Sequence, residues 1–457
     1  MKTTNHLKKF TLLLAVLFMA YSCNNDDDNT TESQSTTITS IASASGDLSI
    51  LVAALQRAGL DTTLDTAGSF TVFAPTNTAF ENFLADNNFN ALEDIPVDVL
   101  TQVLLNHVIA GEVFSTSLVT GYGNTLATKS GAGENLSIYI NTSNGVNLNG
   151  VSNVTTADVD ASNGVIHIVD AVIGLPNIVD HALANSDLSS LVGALTTGGN
   201  TTFTTLLSTP GDFTVFAPNN AAFASFTSTS DLASVLANHV IPGATAISTG
   251  LSNSYVNTAA MFNGTTNALS MYINVDNGVT INGNSTVIAA DIVATNGVIH
   301  VVDTVIDLPS IVDFALADPT FETLVAALTR ADLTFDYVTT LSTPNGTDPA
   351  PFTVFAPTNT AFGDLLTELE VSELGDIDEP TLKATLDMHA VAGLNVVASD
   401  LTDNFAVPTL GGEITANVTG GATLTDSNGR VCNIIVVNVQ AANGVIHAID
   451  KVILPQL

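Results

Sequence analysis

FTVFAPTNTAF at Phe70–Phe80 returns as FTVFAPNNAAF at Phe213–Phe223 and again as FTVFAPTNTAF at Phe352–Phe362. A second block follows each copy: NGVIHIVDAVIGLP at Asn163–Pro176, NGVIHVVDTVIDLP at Asn296–Pro309 and NGVIHAIDKVILP at Asn443–Pro455. Two blocks in fixed order, three times over, specify three tandem domains rather than one large fold. The first block recurs after 143 and then 139 residues, the second after 133 and then 147. Solenoid units are about 20–50 residues long and lean on their neighbours. These units are long enough to bury cores of their own. The predicted domains are 36–176, 177–309 and 310–457.

Local patterns suggest how each unit is built. An amphipathic helix opens it. Asp47 is the expected cap in the first unit, ahead of Leu48, Leu51, Val52 and Leu55 at helical spacing. Asp187 precedes the same pattern in the second, and Asp318 caps the third with Pro319 at the first helical position. Phe70-Thr71-Val72-Phe73 then reads as a strand that Pro75 ends, because proline donates nothing to a ladder. Thr76 or Asn77 caps the helix that follows. Asn144-Gly145, Asn149-Gly150 and Asn277-Gly278 mark tight turns between short strands, since both residue types tolerate positive φ. NGVIH reads as a turn and then a strand apolar on both faces, as at the centre of a covered sheet. Helices early and strands late indicate an α+β fold: a twisted β-sandwich or barrel-like sheet with helices packed at one end. The third unit carries expected insertions at 342–351 and 368–379, both read as surface loops.

Between the two blocks each unit holds a histidine segment: LLNHVIAGEV, LANHVIPGAT and LDMHAVAGLN, with His107, His239 and His389. The three ordered sets together closely resemble the fasciclin domain family, over nearly the whole chain from about Ile41. The resemblance implies this α+β fold and an extracellular adhesion or matrix-binding module without catalytic chemistry. It also directs attention to an Asp-Ile pair that animal members carry just before the closing block and use in receptor adhesion. Asp291-Ile292 stand there in the second unit, Asp158-Val159 in the first and Asn438-Val439 in the third. Asp291 and Ile292 are therefore the expected interaction residues, followed by Asp158 and Val159. The family's Tyr-His motif is altered here, since Asn106, Asn238 and Met388 precede the three histidines. That change departs from animal-type receptor binding and leaves the fold intact.

The N-terminus reads as an export signal over residues 1–22. Lys2, Lys8 and Lys9 precede an eleven-residue apolar run at Phe10–Ala20. A spanning helix needs about 20 apolar residues, so this run is too short. It leads into Ala20-Tyr21-Ser22-Cys23, which resembles a bacterial lipoprotein cleavage box with Cys23 as the acylated residue. Residues 23–35 then form an acidic tether, whose Asn24-Asn25-Asp26-Asp27-Asp28 resembles the tag of outer-membrane lipoproteins facing outward. Lacking apolar residues, residues 24–35 reach about 20 Å as a flexible coil. The expected location is the cell surface, with membrane contact through the N-terminal lipid only. Cys432 then has no partner, and its setting in RVCNIIVV predicts a small buried residue.

Charge excludes one class of partner. Removing the signal takes three lysines and no acid, which leaves 6 basic against 44 acidic side chains, a net of −38. Six basic residues cannot make the stripe that a phosphate backbone requires, so nucleic acid is excluded. The same charge repels anionic lipid surfaces and keeps the protein solvated.

The motifs of catalysis are missing. Two histidines recur in each unit, and His167, His300 and His447 each stand three residues before an aspartate, at Asp170, Asp303 and Asp450. Residues three apart in a strand point to opposite faces, so these pairs cannot meet. A hydrogen-bonded histidine at the edge of the core is expected instead. The chain holds no nucleophile elbow, no His-x-x-x-His helix and no cysteine cluster. The segment from Asp158 to Gly164 fails as a calcium loop, because its glycine is one place late and Val169 stands where the bidentate acid belongs. Neither cofactor, metal nor catalytic residue is expected.

Sugar sites usually offer flat aromatic platforms, yet the chain has no Trp, and Tyr139 and Tyr272 occupy equivalent strand positions suited to packing. The sequence therefore points to a surface lipoprotein that presents three adhesion domains to matrix polymers, cell-surface proteins or glycans. The alternatives are a glycan-capture component of a nutrient-uptake system and, more remotely, a hydrolase built on the repeated histidines.

Overall fold

The computed structural model describes residues 36–66, 68–131, 133–196 and 202–456, so the predicted signal and tether with Cys23 lie outside the described residues. In the first unit α1 (Ile38–Ala44) and α2 (Ser49–Ala58) precede β1 (Phe70–Pro75), α3 (Asn77–Asp86), α4 (Val97–Leu105) and β2 (Val108–Ala110). A run of strands follows: β3 (Gly121–Thr128), β4 (Asn135–Asn141), β5 (Asn147–Leu148), β6 (Ser152–Ala161) and β7 (Gly164–Val169). The seven strands close a barrel in chain order. The second unit has α5 (Ile178–Ala184), α6 (Ser189–Thr196), α7 (Thr202–Ser208), β8 (Phe213–Pro218), α8 (Asn220–Ser225), α9 (Leu232–Asn238) and β9 (Val240–Pro242). Its later strands are β10 (Ser254–Met261), β11 (Ala268–Asn274), β12 (Thr280–Ile281), β13 (Ser285–Ala294) and β14 (Gly297–Val302). The third unit has α10 (Ile311–Ala317), α11 (Glu322–Leu328), α12 (Tyr337–Leu341), β15 (Phe352–Pro357), α13 (Asn359–Glu368), α14 (Glu379–Asp387) and β16 (Ala390–Ala392). It ends with β17 (Phe405–Thr409), β18 (Gly412–Asn417), β19 (Thr423–Thr425), β20 (Val431–Ala441) and β21 (Gly444–Ile449). Both later units keep the neighbour order of the first.

The two repeated sequence blocks are neighbours in space. β1 and β7 run parallel with Phe70 opposite Gly164 and Phe73 opposite His167, and the other units repeat this register. Alternation along these strands serves two cores. Val72, Ala74 and Ile166 pack under the helices, whereas Phe73 and Val169 fill the barrel with Ile138, Ile140 and Leu148. That is why NGVIH is apolar on both faces, as its composition predicts. Its glycine is set by close approach: a Cβ on Gly164 would lie 2.0 Å from the carbonyl oxygen of Phe70.

Asparagine in the same motif does more than turn the chain. The Asn163 side chain accepts from Ile38 N at 2.9 Å and donates to Leu64 O at 2.7 Å and Thr66 O at 3.1 Å. Asn296 and Asn443 repeat all three bonds. Each clip ties the first helix of a unit to its closing strand. That first helix is absent from the sequence-based reading, which began each unit one element late. Asp47 accordingly makes no capping bond and lies inside a 3-10 turn between α1 and α2. Asp187 lies in the matching turn, where Asn185 supplies the cap. Asp318 does cap, accepting from Thr320 N with Pro319 next to it. Thr76, rather than Asn77, caps α3, while the Asn77 side chain reaches back to Ile50 N.

One expected insertion is reassigned. The segment 368–379 of the third unit carries a 3-10 turn at Leu374–Asp376, and the first unit has the same turn at Leu92–Asp94. An arginine pins each: Arg57 donates to Glu93 O and Ile95 O, Arg330 to Leu374 O and Ile377 O. The second unit is the exception. It passes from α8 to α9 in a few residues, and the sequence has Thr197 at the arginine's place.

Successive units dock through one repeated junction. The outer faces of β3 and β4 meet α5 and the end of β13, and β10 and β11 meet α10 and β20 in the same way. At the first junction Val293 N donates to Ser137 Oγ at 2.9 Å, and the Tyr122 ring lies edge-on to His181 with centroids 5.6 Å apart. At the second, Gln440 N donates to Ser270 Oγ at 3.0 Å, and Tyr255 lies edge-on to Phe314 at 5.4 Å. Tyr272 belongs to the core of the third unit although its strand belongs to the second. An ion pair of Lys129 with Asp212 at 2.6 Å reinforces the first junction.

Candidate functional site

Asp158, Asp291 and Asn438 occupy one corner of each unit, where a β-bulge bends the strand that pairs with NGVIH. All three adopt left-handed backbone, with φ of 61°, 62° and 59°. Asp and Asn are the side-chain types that tolerate this region best, because a short polar group bonds locally there. Asp158 accepts from Ser115 N at 2.7 Å and from its hydroxyl at 2.6 Å; Asp291 accepts from Ser248 N at 2.7 Å and from its hydroxyl at 2.5 Å. In the third unit Asn438 keeps only the backbone bond, from Ala398 N at 2.7 Å. These bonds hold the Asp158 carboxyl below its ordinary value, chiefly through the Ser115 hydroxyl. Each corner residue thus joins the bulged strand to the loop opposite.

The flanking apolar residues do not share this exposure. Ile292 is 1% exposed and packs in the helix-side core, and Val159 is half-buried against its own core. The carboxylates of Asp158 and Asp291 reach solvent, at 34% and 37% side-chain exposure. Domain three differs again, with the exposed row Ile435, Val436 and Val437 just ahead of Asn438.

Behind each corner stands the NGVIH histidine. His300 Nδ1 accepts from Asp291 N at 3.3 Å and its Nε2 donates to Ala246 O at 2.9 Å. His167 and His447 make the same two bonds, and each ring stacks on a strand phenylalanine at 5.4–5.6 Å. The paired aspartates point elsewhere, as strand parity requires: Asp170 accepts from Asn153, Asp303 from Thr286 N and Asp450 from Asn433. The second histidine of each pair is equally engaged, whereas the buried His181 uses only Nε2, 3.3 Å from Val293 O. His107 Nδ1 donates to Val103 O at 2.7 Å and its Nε2 accepts from Ile173 N at 2.8 Å, and His239 and His389 repeat the arrangement. Burial pushes these three down to about 4, so they sit neutral with both nitrogens engaged. Among the described residues no group of three His, Cys, Asp or Glu side chains is placed to hold a metal ion. Cys432 is buried, and burial pushes its thiol up to about 12, which leaves it inert.

The serine partners of the corner were missed in the sequence, although a signal exists. Ser115 precedes Asp158, and Ser248 precedes Asp291, by 43 residues each, and where the acid becomes Asn438 the serine becomes Ala398. The aspartate nearest each histidine lies nine residues before it, at 3.8 Å in the first unit and 3.9 Å in the second.

Two spaces sit outside these corners. A groove of about 450 Å³ lies at the second junction, lined by Tyr255, Tyr272, Asp276, Asp318 and Val436 among others. An apolar cavity of about 230 Å³ lies under the helices of the second unit, walled by Leu188, Leu191, Leu195, Leu207 and Ile299. Its counterpart in the third unit measures about 90 Å³, because Phe321 and Tyr337 fill what Leu188 and Phe203 leave open.

Comparison with known proteins identifies the family. The sequence profile described as Fasciclin domain matches residues 46–176, 186–309 and 319–455. Human periostin is 28% identical over 76% of this chain and 39% of its own length. The pig transforming growth factor-beta-induced protein ig-h3 is 27% identical over 89% of this chain and 56% of its own. The chain thus spans about half, or less, of these relatives. Protein sll1483 of Synechocystis is 39% identical over 30% of this chain and 72% of its own. A solved FAS1 domain pair from the insect cell adhesion molecule fasciclin I is 18% identical with a TM-score of 0.36, covering 57% of this chain and 97% of that pair. With three matched segments covering most of its length, the chain belongs to the fasciclin domain family.

Proposed function

We propose that this chain is a non-catalytic adhesion protein, tethered to the outer membrane through Cys23, that presents three linked interaction domains to matrix polymers or cell-surface proteins. The observation that carries this reading is the repetition of one solvent-facing corner in three docked units. Linked weak sites gain avidity without new contacts, provided their spacing matches the partner. Within each corner the carboxylates of Asp291 and Asp158 make the outward contact, while Ile292 and Val159 hold the strand that carries them. The histidines are committed to the scaffold, which supports a binding role over hydrolysis.

Retention of residues 24–457 on immobilised matrix proteins and on whole cells tests the proposal. Asp291→Asn is the informative variant, since Asn438 shows that asparagine keeps the local backbone bond. Weakened retention on Asp291→Asn, and a stepwise loss as units are removed, is the expected result. Undiminished retention in both cases would refute the assignment of the corner. Glycan capture remains the second reading, favoured by the groove at the second junction with its carboxylates beside two tyrosines. It predicts saturable binding of a soluble oligosaccharide that ignores Asp291→Asn.

A further inference from the structure

The two junctions define a docking geometry, and among the described residues two further faces of the same kind carry no docked unit: the outer face of β17 and β18 at one end, and α1 with the end of β6 at the other. We propose that these end faces are built to reject one another, so that the three described units do not lengthen by head-to-tail addition of a second copy.

Strand register identifies the residues concerned. Tyr122 pairs with Tyr139 and Tyr255 with Tyr272 across their hairpins; the corresponding pair in the third unit is Ala406 and Thr415. The inward neighbours agree with this alignment, since Ile138, Met271 and Ile414 all fill barrel interiors. Two residues before the second tyrosine, Ser137 and Ser270 receive the strand N–H of the next unit; the third unit has the exposed Glu413 there. On the receiving side, Val293 and Gln440 stand two residues after the corner residue, and in the first unit that place holds the exposed Asp160.

A second copy docked in the existing geometry would therefore lack both tyrosines. It would also press Glu413 into a space where Ser270 is 2% exposed, directly against Asp160. Specificity of this kind combines a missing attraction with an added repulsion. Tandem arrays need atypical outer faces for the same reason, because a head-to-tail contact that does not close builds filaments. The carboxylates are not an incidental part of the general acidity: the equivalent inner positions carry no charge in either junction.

Sedimentation of residues 24–457, which include every described residue, tests this. The unaltered chain is expected to stay at one mass as concentration rises. A variant with Asp160→Val, Ala406→Tyr, Glu413→Ser and Thr415→Tyr restores the inner residues at both ends, and its average mass is expected to climb with concentration to at least double. Cross-links between β18 and α1 of separate copies would confirm the register. Self-association of the unaltered chain with those cross-links would overturn the proposal, and so would a cooperatively folded variant that remains at one mass. If the fourfold variant fails to fold, Asp160→Asn with Glu413→Gln removes the repulsion alone; association that rises over the unaltered chain supports the idea, and no rise counts against it.

Discussion

Replacing Tyr255 by alanine and Tyr272 by threonine should uncouple the second unit from the third without unfolding either. The substitutions are chosen from the protein itself, since Ala406 and Thr415 occupy these places in a unit that folds. Tyr272 is 4% exposed, and its surroundings belong to the neighbouring unit. An aromatic side chain buries about 150–250 Å², which at about 25 cal/mol per Å² is worth about 4–6 kcal/mol. Truncation of buried aromatics costs about 3–5 kcal/mol in practice. Allowing for area that stays covered within the second unit, the docking loses about 4 kcal/mol, close to a thousandfold in the docked fraction. Calorimetry should show the shared transition of these two units dividing, with the third unit's melt nearly unmoved. Small-angle scattering should show a longer, more variable particle. An unchanged melt together with an unchanged scattering curve would mean that the tyrosines do not hold the junction, and the coupled array would lose its support.

Other expectations follow from single contacts. Asn443→Ala removes three bonds and leaves Ile311 N, Leu341 O and Thr343 O without partners in the core; a loss of about 3 kcal/mol from the third unit is expected by denaturant titration, and a loss below about 1 kcal/mol would show that the clip is dispensable. Acid should destabilise the whole array through His107, His239 and His389. Each is held neutral and pushed down to about 4, against about 6.5 when unfolded, so the unfolded chain binds more protons below that value. Their contribution is complete above about pH 6.5 and drains away towards pH 4, by about 3 kcal/mol each; a melting temperature flat across this window would contradict their burial. Leu188→Phe copies Phe321 into the cavity of the second unit and should raise that unit's stability by about 1 kcal/mol. A fall in its melting temperature would indicate overpacking of a space that is not open.

Much of a single unit was legible in the chain. Phe70–Phe80 and Asn163–Pro176 read as strand-to-helix and turn-to-strand because period and punctuation act over a few residues. The opening helices escaped notice because Ile38–Ala44 and its equivalents are short, and the stronger periodicity from Leu48 onward drew the boundary late. Treating 368–379 as an insertion came from measuring the third unit against the second, which is the one that lacks the loop. For the proposed interaction corner, the sequence pointed to Asp158 and Asp291 but carried no sign of their geometry. Consecutive strand residues face opposite ways, so Ile292 turns into the core beside an aspartate that faces outward.

Three repeats, their α+β class and the excess of acidic residues were legible in the sequence alone, since repetition, composition and spacing survive without coordinates. Tertiary structure decided the rest. The two blocks pair in parallel across some 90 residues, a contact no local pattern encodes. The hydrogen-bonded histidines expected from the sequence found their carbonyl and amide partners in distant segments. The tyrosines of the first two units became joints between domains, because only a three-dimensional array distinguishes an inner face from an outer one.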